Sequence, residues 1–165
     1  MAENELETET PEAEAAEEGP ILSIITQYTK DLSFESPNAP ASLNPELDQP
    51  TLELGVNVQA KALTPENYEV ELRIQATAKQ DDEMAFVIEL VYGGLFLIKN
   101  FPPEALEMVC MIECPRLLFP FARRVISDAT RDGAFSPLQL DPIDFAGLFQ
   151  AHKAQEAEEA AAGTA

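Results

Sequence analysis

Apolar and polar residues alternate with a period of two through much of the first hundred residues. In TLELGVNVQAKA, residues 51–62, one parity holds Leu52, Leu54, Val56, Val58, Ala60 and Ala62, and the other Glu53, Asn57, Gln59 and Lys61. YEVELRIQATAK, residues 68–79, repeats this, with Tyr68, Val70, Leu72, Ile74, Ala76 and Ala78 set against Glu69, Glu71, Arg73, Gln75, Thr77 and Lys79. A strand sends successive side chains to opposite faces, so each segment predicts a strand with one buried and one wet face. Residues 22–35 read the same way, with Leu22, Ile24, Tyr28, Leu32 and Phe34 turned inward and Thr29, Asp31, Ser33 and Glu35 outward. Pro37 and Pro40 then stop the strand. The short linkers LTPEN and QDDE predict antiparallel neighbours for the second, third and fourth strands.

The fourth strand, EMAFVIELVY at 83–92, breaks the alternation. Met84, Phe86, Ile88, Leu90 and Tyr92 are apolar, but so are Ala85, Val87 and Val91 on the opposite parity, which carries Glu89. A strand apolar on both sides is buried on both sides. The extra cover is a helix of the same chain or another subunit, and the pattern favours a subunit. Gly93-Gly94 is expected to end the strand at a bend or bulge.

The period then lengthens. PPEALEMVCMIEC, residues 102–114, and PRLLFPFARRVISDATRDG, residues 115–133, predict helices. In the second, Leu118, Phe121, Val125, Ile126 and Ala129 make the apolar stripe, Arg123, Arg124 and Arg131 the outer face, and Gly133 the stop. Pro120 predicts irregular first turns. A last helix begins at DPIDFAGLFQAHKAQ, with Asp141 as N-cap, Pro142 at its first position, and Ile143, Phe145, Leu148 and Phe149 on the apolar side. Strands first and helices afterwards predict an α+β fold, a four-stranded antiparallel sheet with helices on one side.

Composition adds the charge. The chain of 165 residues has a globular hydrophobic fraction of 45%, yet 30 acids face only 10 lysines and arginines, for a net −20. Residues 1–19 carry eight of the glutamates and read as a disordered acidic extension. Residues 151–165 carry three more and read as a fraying acidic tail. The domain between, 20–150, is still acidic, which disfavours nucleic acid and anionic membranes and favours a basic partner. The N-terminus lacks the basic and apolar regions of a signal peptide, and the longest apolar run, 84–98, is interrupted by Glu89 and the glycine pair. A soluble cytosolic protein is expected.

Candidate chemistry is sparse. His152 is the single histidine and lies near the tail, which disfavours histidine triads and most zinc sites. Cys110 and Cys114 in CMIEC have three residues between them, not the two of a redox pair, and read as small buried hydrophobes. YGGLF has no phosphate-binding pattern. Asp31 and Glu35 share a wet face with Thr29 and Ser33, a poor setting for the dry, raised-pKa member of a catalytic pair. By pattern alone they are a solvated face or a docking surface. A small-ligand carrier and a carboxylate-dependent enzyme remain open alternatives.

Five phrases in order, YTKDLSFESPNAP, YEVELRIQATA, YGGLF, CPRLLFPFAR and LDPIDFAGLF, resemble successive signatures of the SecB protein-export chaperone family across roughly residues 22–150. The resemblance implies a non-enzymatic, ATP-independent holdase without a cofactor. It would keep secretory precursors unfolded and deliver them to the SecA motor, as a homotetramer built from two dimers. It implies that Asp31, Glu35, Val87 and Glu89 form the SecA-facing surface. Val87 stands there as a smaller aliphatic than the leucine associated with that position. The zinc of the basic SecA segment would belong to the partner. Clients would lie on Leu52, Leu54, Val56, Phe96, Phe145, Leu148 and Phe149. Ile88, Leu90 and Tyr92 would support the tetramer interfaces. The acidic extension lies outside the resemblance.

Overall fold

The computed structural model of the protein describes residues 18–163. Strands β1 (Ile21–Glu35), β2 (Thr51–Ala62), β3 (Asn67–Gln80) and β4 (Glu83–Lys99) come first. Helices α1 (Pro103–Met108), α2 (Cys114–Asp132) and α3 (Phe145–Ala162) follow, with a π turn, Val109–Glu113, between the first two. All strand pairs are antiparallel, in the order β1-β4-β3-β2. This is the α+β sheet-and-helix layering expected from the alternation. The acidic extension expected to be disordered spans residues 1–19, of which 1–17 lie outside the described residues.

β2 and β3 pair without interruption from Thr51↔Lys79 to Ala62↔Tyr68, as two uninterrupted alternating segments should. Asp81 and Asp82 take positive φ in the two-residue turn to β4, the backbone that twists correctly into a tight hairpin. The helices cover the face that carries Val70, Leu72, Ile74, Phe86, Ile88, Leu90, Phe96 and Ile98, all buried with Leu118, Ala122 and Ile126 of α2. The cover for this parity of β4 is therefore the chain's own helices, while the other parity, with Val87 and Val91, is the one left for the subunit that the pattern favours. The opposite, open face has no helix layer.

Several boundaries differ from expectation. β4 does not end at Gly93-Gly94; it runs on to Lys99, with both glycines in regular register against Tyr28 and Gln27. Besides a shift at Ala85 in the β3–β4 pairing, the irregularities lie in β1, where Ile25 and Lys30 are extra residues without partners on β4. Each bulge reverses the parity that follows it. Tyr28, between the two, consequently faces the open side instead of the core. Leu32 returns to the helix side but stays largely exposed because β1 is an edge.

On α2, Phe119 and Ala122 point inward and Phe121 outward, so Phe121 is not on the stripe. The backbone irregularity expected near Pro120 falls upstream, in the π turn that buries Cys110 and leads into Cys114. α3 starts three residues later than expected: Asp144, not Asp141, is the N-cap, its Oδ1 accepting from the Gly147 N–H at 3.0 Å. The segment expected to fray continues this helix to Ala162, exposed from Ala151 onward.

Candidate functional site

Directly opposed residues of a sheet share a face, so the registers order the open side into rows. From β1 to β2, one row reads Asp31, Val91, Arg73, Asn57 and the next Ser33, Glu89, Gln75, Gly55. A third reads Glu35, Val87, Thr77, Glu53. Asp31, Glu35, Val87 and Glu89 thus occupy adjacent positions around the β1–β4 seam. Beside them lies a depression of about 430 Å³ lined by Asp31, Glu89, Val91, Arg73, Gln75 and Gly55. The Asp31, Glu35 and Glu89 carboxylates are exposed and have no ion-pair or hydrogen-bond partner among the described residues.

One row above, Tyr28 and Glu71 both oppose Gly93. Since Gly93 has no side chain, groups from β1 and β3 meet across β4. The Tyr28 hydroxyl donates to Glu69 Oε1 at 2.5 Å. Lys30, at the bulge, donates to Glu69 Oε1 at 2.9 Å and also to Glu71 Oε1. The other Glu71 oxygen, Oε2, accepts from Arg73 Nη2 at 2.8 Å. Hydrogen bonds from Tyr28 and Lys30 hold the Glu69 carboxyl below its ordinary range, and the bond from Lys30 does most of the same for Glu71. Lys30 is raised by the two carboxylates. Burial, then the bond to Glu69, pushes Tyr28 up to about 12. Glu71 is the buried carboxyl of the described residues, and its shift is opposite to what a general acid requires.

A second surface lies beneath β2, which extends past the helical cover. Leu52 and Leu54 remain 44% and 49% exposed. At one end a depression of about 250 Å³ is lined by Val56, Val58, Met111, Leu148, Phe149 and His152. At the other, one of about 310 Å³ is lined by Leu43, Leu47, Leu52, Phe86, Phe135 and Leu138 among others. Leu54 bridges them along the strand, so an apolar trough follows β2.

The expected client residues therefore divide. Leu52, Leu54, Val56, Leu148 and Phe149 line the trough. Phe96 and Phe145, at 0% and 1% exposure, are core residues under the helices and present no groove surface. Ile88, Leu90 and Tyr92 are likewise buried within the chain. Met111, Leu43, Leu47 and Phe135, which also line these depressions, stand in a π turn, a short 3₁₀ turn and loops, where no periodicity marks a face. The thiols are inert packing groups: burial pushes Cys110 up to about 11 and Cys114 higher still. Among the described residues no helix is long and apolar enough to cross a membrane.

The family model Preprotein translocase subunit SecB matches residues 15–156. The chain is 53% identical to the Protein-export protein SecB of Rhodopseudomonas palustris over 141 residues, 86% of this chain and 88% of that protein. It is 51% identical to the protein of the same name from Parvibaculum lavamentivorans over 145 residues, covering 88% of this chain and 86% of the relative. Among solved structures it resembles the Mycobacterium tuberculosis SecB-like chaperone in complex with a ChAD peptide from an antitoxin. There the TM-score is 0.59 at 18% identity, over 74% of this chain and 90% of the other, a likeness of fold. With its signatures in order, its layered sheet and these relatives, the chain belongs to the SecB family of protein-export chaperones.

Proposed function

We propose that the chain is an ATP-independent cytoplasmic holdase that binds unfolded secretory precursors along the β2 trough and delivers them to SecA. The observation that carries this reading is the apolar parity of β2, open to solvent at Leu52 and Leu54 beside Leu148 and Phe149. Burying such side chains against a client contributes about 25 cal/mol per Å², non-directionally, so many sequences are held by many weak contacts. No nucleotide and no bond-making step enters.

Docking belongs to the open face. Asp31, Glu35 and Glu89 surround Val87 without internal cation partners, a surface suited to a basic segment with an apolar residue at its centre. The working unit is a homotetramer, a dimer of dimers. Ile88, Leu90 and Tyr92 act on its assembly indirectly, by setting how α2 lies on β4. The test replaces Asp31→Asn and Glu89→Gln together. Suppression of client aggregation without nucleotide should survive, while SecA binding falls and loses salt sensitivity. Equal loss of both properties, or of neither, would overturn the assignment of the two surfaces.

A further inference from the structure

The docking face carries two cations that ought to spoil it. Arg73 lies in the same row as Asp31, separated by Val91, and lines the same depression as Asp31 and Glu89. Two strand spacings are roughly 10 Å, within the combined reach of an arginine and an aspartate. Lys30 immediately precedes Asp31 and points to the same face. Both side chains share this face with the free carboxylates Asp31 and Glu89 and are candidates to pair with them. Neither does. Glu71, one row away, accepts Lys30 on Oε1 and Arg73 on Oε2, and Glu69 Oε1 holds Lys30 as well.

We infer that Glu71 is a positioning residue of the docking face: it gathers Lys30 and Arg73 onto one carboxylate and so leaves Asp31 and Glu89 free for a basic partner. The inference rests on the docking reading above and adds the residue that keeps those acids available. Glu71 suits the task because it is largely buried and opposes Gly93, over which Lys30 reaches from β1. Its own charge is satisfied twice within the sheet, so it offers little to a partner directly. Removing it frees Arg73 beside Asp31 and Glu89 and leaves Lys30 on Glu69 alone, a larger effect than the loss of one surface acid.

The test is Glu71→Gln, of the same size, compared with Glu53→Gln, which makes an equal charge change at an exposed position of the same face. With SecA as the probe, Glu71→Gln should weaken binding about five- to tenfold, and Glu53→Gln by less than about twofold, as suits surface pairs worth up to about tenfold together. Glu71→Gln combined with Arg73→Gln should recover most of the loss. A crystal structure of Glu71→Gln should show Arg73 or Lys30 on Asp31 or Glu89, a change that general loosening of the fold would not produce. If Asp31→Asn with Glu89→Gln weakens SecA binding but Glu71→Gln matches Glu53→Gln, the inference alone falls. If that double variant binds SecA unchanged, the docking reading falls and takes the inference with it.

Discussion

Tyr28 and Gly93 decide how the open face is built. A Cβ added at Gly93 would stand 2.6 Å from Tyr28 Cε2 and 2.9 Å from its Cζ, closer than carbon atoms pack. Gly93→Ala should therefore displace the ring, break its bond to Glu69 and cost about 1–3 kcal/mol in denaturant unfolding. In a Tyr28→Ala background the same substitution should cost much less, which a double-mutant cycle would show. The Tyr28 hydroxyl also makes stability depend on alkaline pH. Its folded pKa is raised, from an ordinary 10.0 to about 12, so the folded chain keeps a proton that the unfolded chain releases. That contribution is complete below pH 10.0 and is lost as the pH rises toward 12. Tyr28→Phe should remove this part of the alkaline fall in melting temperature. The position of Tyr28 was not legible in the alternation, because a bulge is one unpaired residue and leaves the hydrophobic pattern around it intact.

Among the elements, the inward apolar parities of β2 and β4 have opposite consequences. Phe96 on β4 is wholly buried, whereas Leu54 on β2 is half exposed. Phe96→Ala should cost about 3–5 kcal/mol of stability, through lost transfer energy and a residual cavity. Leu54→Ser should change stability by no more than about 0.5 kcal/mol yet reduce suppression of client aggregation. Unfolding curves and an aggregation assay on the two variants separate core from client surface. The sequence identified both strands and their inward parities. It could not tell which strand lay at the edge, since strand order comes from pairing between distant segments.

For the whole molecule, the doubly apolar β4 and the net −20 charge are complementary features. One parity of β4 is sealed by α2, while Val87, Val91, Leu95 and Leu97 on the other are half-buried without a helix above them. In the proposed assembly the acidity keeps a loaded complex soluble and draws in a basic partner. Light scattering should give about four times 18.1 kDa. A stable monomer that nevertheless held clients would contradict the tetrameric part of the proposal.

The amino-acid sequence by itself determined the four strands, the helices after them, the antiparallel hairpins and the family, because periodicity, turn residues and ordered signatures are local. It also determined that Asp31 and Glu35 share a wet face, as residues four apart on a strand must. Only the tertiary structure decided that Phe96 and Phe145 are core and Leu52 and Leu54 are open, because burial depends on which strand the helices reach. It alone brought Lys30 and Arg73 together on Glu71. Those three residues lie on β1 and β3, strands that never pair, and they meet only because the glycine of the strand between them leaves the space.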